Sequence, residues 1–304
     1  MSSISISNTQ RRQTSNRTGV LWAFCAVGLF SLIYVSGKLS GTQAGALQII
    51  WLRYVGGFLT MLLLILCRLA PAGRLSTSQP LLHACRAMAG GFGGVAAVYA
   101  AANMPVASAS AIGLLDGLFT VVLGVLILGE RAGLRQWLAT LTCLLGAGVV
   151  LASQGAFSAW NSAFQLPALV ALAGAVLVAT ENILIKTLVH AERAVTVLFY
   201  VNLFGAILLA IPGIANWAPI DAVWIGGFLL LGPVAIFAQY CNIRAFRAAA
   251  AGVIGTVKYG WIIYAACFGI FLFGESLTVS LMLGVALILM GGGWLATLRN
   301  RVHN

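Results

Sequence analysis

Asp116 and Lys258 stand 142 positions apart, each well inside a long apolar stretch, in "LLDGLF" (114–119) and "KYGWII" (258–263). An ionisable group at the centre of a bilayer costs about 2.5–3.5 kcal/mol on insertion scales, so each one needs a reason. An acid there can bind a substrate amine or carry a proton. A lysine can hold an anionic group or pair with an acid. Glu181 lies about two-thirds of the way along another such stretch, and Arg53 and Arg86 lie in two more. The plain alternative for all five is an internal ion pair that locks the fold. Arg53 and Arg86 sit within about ten residues of a stretch's end, where long side chains reach out to the interface. Asp116 and Lys258 are not close to an end, so function is the stronger reading for them.

Aromatic rings form the second signal. Tyr259, Trp261 and Tyr264 crowd around Lys258, and Tyr99 and Tyr240 occupy comparable places in the two halves of the chain. Such rings can sandwich a planar substrate while a few polar groups, among them Asn182 and Asn242, fix its orientation. The bland counterpart is the interfacial belt of Trp and Tyr, which suits Trp22, Trp51 and Tyr54 better than the deeper Tyr259 and Trp261. "GGFGGVA" (90–96) has the outline of a nucleotide fingerprint, but no strand precedes it, and close helix packing explains it. There is no Walker A loop. His83, His190 and His303 show no metal-ligand spacing, and six cysteines form no CxxC pair, so no cofactor is expected.

The elements that must position these residues are set by composition. The chain is 61% hydrophobic and 8% charged, against about 25% charged in soluble domains. Its basic residues punctuate apolar runs instead of clustering with aromatics, so the net charge of +11 points to lipid and not to nucleic acid. Ten stretches are long enough to span a bilayer, near 18–38, 44–67, 81–103, 106–129, 133–153, 165–188, 194–215, 221–245, 250–274 and 276–298. They are too long for barrel strands. Arg11, Arg12, Arg17, Arg68, Arg74, Arg131, Arg135, Arg193, Arg244, Arg247, Arg299 and Arg301 all then fall on one side. By the positive-inside rule both termini are cytoplasmic. Residues 1–17 read as a disordered cytoplasmic tail and 299–304 as a second tail.

"LGVLILGERAG" from 123 and "FGIFLFGESLT" from 268 superpose at an offset of 145, matching Gly129 and Glu130 to Gly274 and Glu275. Gly146 meets Gly291 at the same offset, and an offset of 148 places Lys38 on Lys186 and Gly57 on Gly205. The first five stretches therefore match the last five. Five is odd, so the second half enters the membrane from the opposite side. The expected fold is an all-α integral membrane protein: ten transmembrane helices as two inverted repeats, 18–153 and 165–298. Secondary transporters are built this way, with the substrate bound near the midplane. Gly129 and Gly274 are expected as left-handed helix caps, with Glu130 and Glu275 in the first turn of the following helix, where the dipole favours an anion.

Ten spans in two halves, an early "LW…GK" helix, and "LGE" or "FGE" before a glycine-bearing helix resemble the EamA-type transporters of the drug/metabolite transporter superfamily. The resemblance covers about residues 18–298. It implies a bacterial-type inner-membrane carrier of amino acids or related metabolites, or of vitamins such as riboflavin, with no catalytic role. The family's proline inside helices four and nine is missing, and Gly117 and Gly260 can loosen those helices instead. The candidate substrate site is Asp116, Lys258, Tyr259, Trp261, Tyr99, Tyr240, Asn182 and Glu181, and the deep rings favour a planar or aromatic metabolite. The expected partners are that small molecule and membrane lipid. A coupled proton, a counter-substrate and a homodimer all stay open. Export of non-aromatic amino acids or drugs is the alternative, and a passive channel or membrane-embedded enzyme ranks lower, since the six acids are scattered.

Overall fold

A computed structural model describes residues 17–32, 44–69, 75–103, 112–153, 165–264, 267, 271 and 278–297. In chain order its helices are α1 (Arg17–Leu32), α2 (Ala46–Leu66), α3 (Pro80–Asn103), α4 (Leu115–Leu128), α5 (Leu134–Ser153), α6 (Gln165–Ala191), α7 (Ala194–Leu208), α8 (Ala222–Ala248), α9 (Ala251–Val257) and α10 (Val279–Thr297). By length and composition α2, α6, α8 and residues Pro80–Ala100 of α3 can each cross a membrane, while α1, α4, α7 and part of α10 are shorter apolar helices. Large apolar side chains point outward, as Val223 (83% exposed) and Ile211 (80%) do, while Gln48, Asn202 and Thr120 are buried. A surface of that kind suits lipid, which leaves polar groups only the interior.

The packing follows the repeat. Exchanging each helix with the one five places on turns α3 against α7 into α8 against α2, and both contacts exist. It turns α3 against α6 into α8 against α1, which the Cys241–Cys25 contact at 3.8 Å represents. The pairs α2–α7, α4–α9 and α5–α10 map onto themselves. Each of these runs antiparallel. Gly146 of α5 faces Gly284 and Leu287 of α10, whereas Gly291 faces Ala139 and Cys143. Gly57 of α2 meets Asn202, and Gly205 of α7 meets Tyr54. On the α4–α9 seam, Gly117 faces Gly255 and Gly124 faces Ala251. The matched glycines Gly57, Gly205, Gly146 and Gly291 are thus points where equivalent helices touch, because a small residue lets two backbones approach closely.

Prolines shape two of these helices. Pro212 has no N–H to offer the Leu208 carbonyl, and α7 breaks there into a short continuation, Ala210–Ala215. Pro233 sits inside α8 and leaves the Leu229 carbonyl without its helical donor. That carbonyl lies against Gly56 of α2, where any Cβ would overlap it. "GGFGGVA" does what close packing requires: Gly90 faces Glu181, Gly93 faces Gly174 and Val178, and Gly94 faces Ile50.

Candidate functional site

Lys258 Nζ donates to Asp116 Oδ2 at 2.6 Å, joining α9 to α4 across the antiparallel seam. Both helices change course at this point. α4 begins after a turn at Leu114, with Gly117 N–H donating to the Leu114 carbonyl at 3.2 Å. The α-helical part of α9 stops at Val257 and gives way to a 3₁₀ turn over Lys258–Gly260. Asp116 is therefore in the first turn of one helix and Lys258 at the last turn of the other, where the helix dipoles favour a negative and a positive charge. Gly117 is required here, since a Cβ on it would lie 2.6 Å from the Gly255 carbonyl oxygen. The loosening expected at Gly117 and Gly260 is present without a proline. At the 145-residue offset Asp116 aligns with Trp261 and Lys258 with Gly113, so the two halves diverge in sequence where the charges sit.

Around the pair, Thr120 donates to the Asp116 carbonyl at 2.7 Å and Asn182 of α6 donates to Thr120 at 3.0 Å. Tyr259 is fully buried with Leu114, Cys143 and Ile262, and its hydroxyl has no hydrogen-bond partner among the described residues. Trp261 packs against the same cluster. The structure thus gathers Asp116, Lys258, Tyr259, Trp261 and Asn182. The contacts of the other candidates lie elsewhere. Tyr240 stands edge-on to Trp22 at 6.1 Å and accepts from Arg244 at 3.3 Å. Tyr99 is 38% exposed near the end of α3. Glu181 faces Arg86, with Oε1 3.7 Å from Nε.

The matched Gly-Glu and Lys positions form a clamp on the α8–α9 turn. Gly129 takes the left-handed conformation at the end of α4 (φ 64°), as expected. The expectation for Glu130 needs correction: it does not serve α5, which starts only at Leu134. Its two carboxylate oxygens accept from Ala251 N–H at 2.8 Å and Gly252 N–H at 3.2 Å, capping α9 across the seam. On the other side of the turn, Lys186 donates to the Phe246 and Ala249 carbonyls at 2.6 and 2.5 Å, closing the end of α8. Lys38, Gly274 and Glu275, their counterparts in the repeat, lie outside the described residues.

Two further readings change. Arg86 and Arg53 do not reach out to an interface; they are 1% and 8% exposed. Tyr54 is no belt residue, being 2% exposed beneath α7. Sequence reasoning also missed the pairing of His83 with Glu192 at 2.7 Å, where Thr77 donates to the same carboxylate. Their separation of 109 positions gave no local signal.

Antiparallel equivalent helices, an apolar exterior and a buried ion pair at two interrupted helices define a two-repeat membrane transporter. Residues 17–152 and 165–296 match the EamA-like transporter family, and the chain belongs to it. The sequence is 29% identical over 256 residues to the pseudopaline exporter CntI of Pseudomonas aeruginosa PAO1, covering 83% of this chain and 87% of that protein. It is 23% identical over 271 residues to the S-adenosylmethionine uptake transporter of Rickettsia prowazekii, covering 89% of this chain and 90% of the relative. The fold is similar to that of a crystal structure with a TM-score of 0.77 at 21% identity, covering 92% of this chain and 98% of the other.

Proposed function

We propose that the protein is a secondary transporter of a bacterial-type inner membrane, carrying a small metabolite with an amino acid head group. In this reading ten transmembrane helices form two inverted five-helix halves with both termini cytoplasmic, and the halves rock to open one site alternately to each side. The observation that carries the reading is the Asp116–Lys258 pair at the interrupted turns of α4 and α9. An α-amino acid presents an ammonium and a carboxylate a few ångströms apart. Asp116 takes the first and Lys258 the second, so binding exchanges an internal ion pair for two intermolecular ones. The charges stay neutralised throughout, which keeps the barrier in the membrane low.

The relatives support the substrate class in part. One is named for uptake of S-adenosylmethionine, which joins an amino acid head to a planar adenine, and another for export of pseudopaline. Their directions are opposite, so direction follows the gradient and coupling, through a proton on Asp116 or a counter-substrate. A planar moiety beside the head group is the second reading, favoured by the buried, unpartnered Tyr259 hydroxyl and by Trp261.

Counterflow in vesicles carrying the purified protein tests both. Labelled S-adenosylmethionine, tryptophan and riboflavin are offered singly against each unlabelled compound. Saturable exchange of the first two, lost in Asp116→Asn, is the expected result. Riboflavin exchange that survives Asp116→Asn would set the head-group reading aside and leave the planar one.

A further inference from the structure

Away from the helix-end clamps, the interior holds Arg53, Arg86 and Lys258 with Asp116, Glu181 and Glu192 among the described residues, and Glu192 is held by His83 and Thr77. Asp116 is taken by Lys258, which leaves Glu181 for two arginines. Even that partnership is loose, because 3.7 Å between Glu181 Oε1 and Arg86 Nε is too long for a hydrogen bond. Arg86 is 1% exposed, its Nε has no hydrogen-bond partner, and Nη1 reaches the Val197 carbonyl only at 3.4 Å. Arg53 lies over the Tyr54 ring at 4.1 Å and has no ion pair among the described residues. Tyr54 packs in one buried cluster with Ala87, the neighbour of Arg86, which places Arg53 near the Arg86–Glu181 pair between α2, α3 and α6. A guanidinium offers five donors in a planar fork that fits a carboxylate with two parallel bonds. A buried one so poorly supplied with acceptors is expensive to retain unless an anion completes it.

From this shortage of acceptors we infer that Arg86 and Arg53 form a second anion site, which receives a carboxylate of the substrate other than the one in its amino acid head. Successive residues of α6 take part in the two centres: Glu181 faces Arg86, and Asn182 faces Thr120 beside Asp116. Both centres therefore stand at one level of the bundle, and one extended molecule can engage both. Glu181 holds Arg86 in the empty transporter, and its 21% exposure leaves that edge of the cluster open to exchange for a ligand carboxylate. The substrate that engages both centres is an amino acid derivative with at least one additional carboxylate, and compounds with the head group alone bind more weakly. This assignment of two ends rests on Asp116–Lys258 as the head-group site, whereas the arginine site itself stands on its own contacts.

The test uses the full-length protein purified in detergent, with binding read as ligand-dependent thermal stabilisation. The probes are glutamate, glutamine and glutarate, the last having two carboxylates and no amine. Glutamate is expected to half-saturate at a concentration about tenfold lower than glutamine, one charge-assisted contact being enough for that ratio. Arg53→Gln, and the double variant Arg86→Gln with Glu181→Gln that removes both charges of the loose pair together, should each bring glutamate to the glutamine value and leave glutamine unchanged. Equal binding of glutamate and glutamine by the native protein overturns the inference. So does a glutamate preference that persists in both variants, or the absence of any saturable response to glutarate. Arginine-dependent glutarate binding without glutamine binding would instead remove the head-group reading and leave the anion site standing.

Discussion

Glu130→Ala removes a carboxylate of the first repeat from the first turn of α9 in the second. The structure fixes what is lost: one hydrogen bond at 2.8 Å to Ala251 N–H and a longer one at 3.2 Å to Gly252 N–H, both partly buried. Hydrogen bonds to a charged group contribute about 1.5–3 kcal/mol each, with the longer one at or below the bottom of that range. Together they amount to about 3 kcal/mol. For a chain of this size each kcal/mol moves Tm by about 2 °C, so the alanine variant should melt about 6 °C lower. Glu130→Gln keeps an acceptor but not the charge, and should lose about half as much. Exposed Arg131 makes no ion pair among the described residues, so Arg131→Ala should change stability by less than about 0.5 kcal/mol. The assay is thermal unfolding of the detergent-purified protein followed by intrinsic tryptophan fluorescence at one scan rate. A Glu130→Ala protein that melts with the native one would refute the clamp.

Three other outcomes follow from the same contacts. Gly146→Leu should lower stability by about 3 kcal/mol or abolish folding, because the α5–α10 backbones leave no room beside the Gly284 carbonyl; yield of folded protein on size exclusion checks it. Cys25 and Cys241 lie with their sulfurs 3.8 Å apart, so a mild oxidant should cross-link α1 to α8, detected as a linked peptide by mass spectrometry and absent in Cys25→Ser. Lys258→Met leaves Asp116 without its partner and should cost about 3 kcal/mol, the lower end of the range for breaking a buried pair, since both side chains keep some exposure. Combining it with Asp116→Asn should recover most of that loss in a melting assay while leaving transport absent.

The repeat was legible because glycines and a Gly-Glu pair recur in order, and four of those glycines turn out to be contact points. Gly57, Gly146, Gly205 and Gly291 each touch the equivalent antiparallel helix. Their function could not be read locally, since a glycine shows only that something comes close and not what does. Asp116 and Lys258 were legible as isolated charges in apolar runs, but their 2.6 Å contact joins positions 142 apart. Glu130 was misplaced for the same reason, as a dipole argument favours the nearest helix and the structure uses one 121 positions away. Tyr99 and Tyr240 matched by place in the repeat, yet their rings serve different surroundings. Rotation about a helix axis decides that, and in a run apolar on every face periodicity carries no information about rotation.

The central claim is that the Asp116–Lys258 centre opens in turn to each side of the membrane. Asp116→Cys, placed in a variant without the six native cysteines, can be probed with a membrane-impermeant thiosulfonate in right-side-out and inverted vesicles. Labelling from both sides is the result the account predicts, and Lys258→Cys in the same background should behave alike, since the two side chains meet at 2.6 Å. Labelling from one side alone, whatever the substrate, would contradict it.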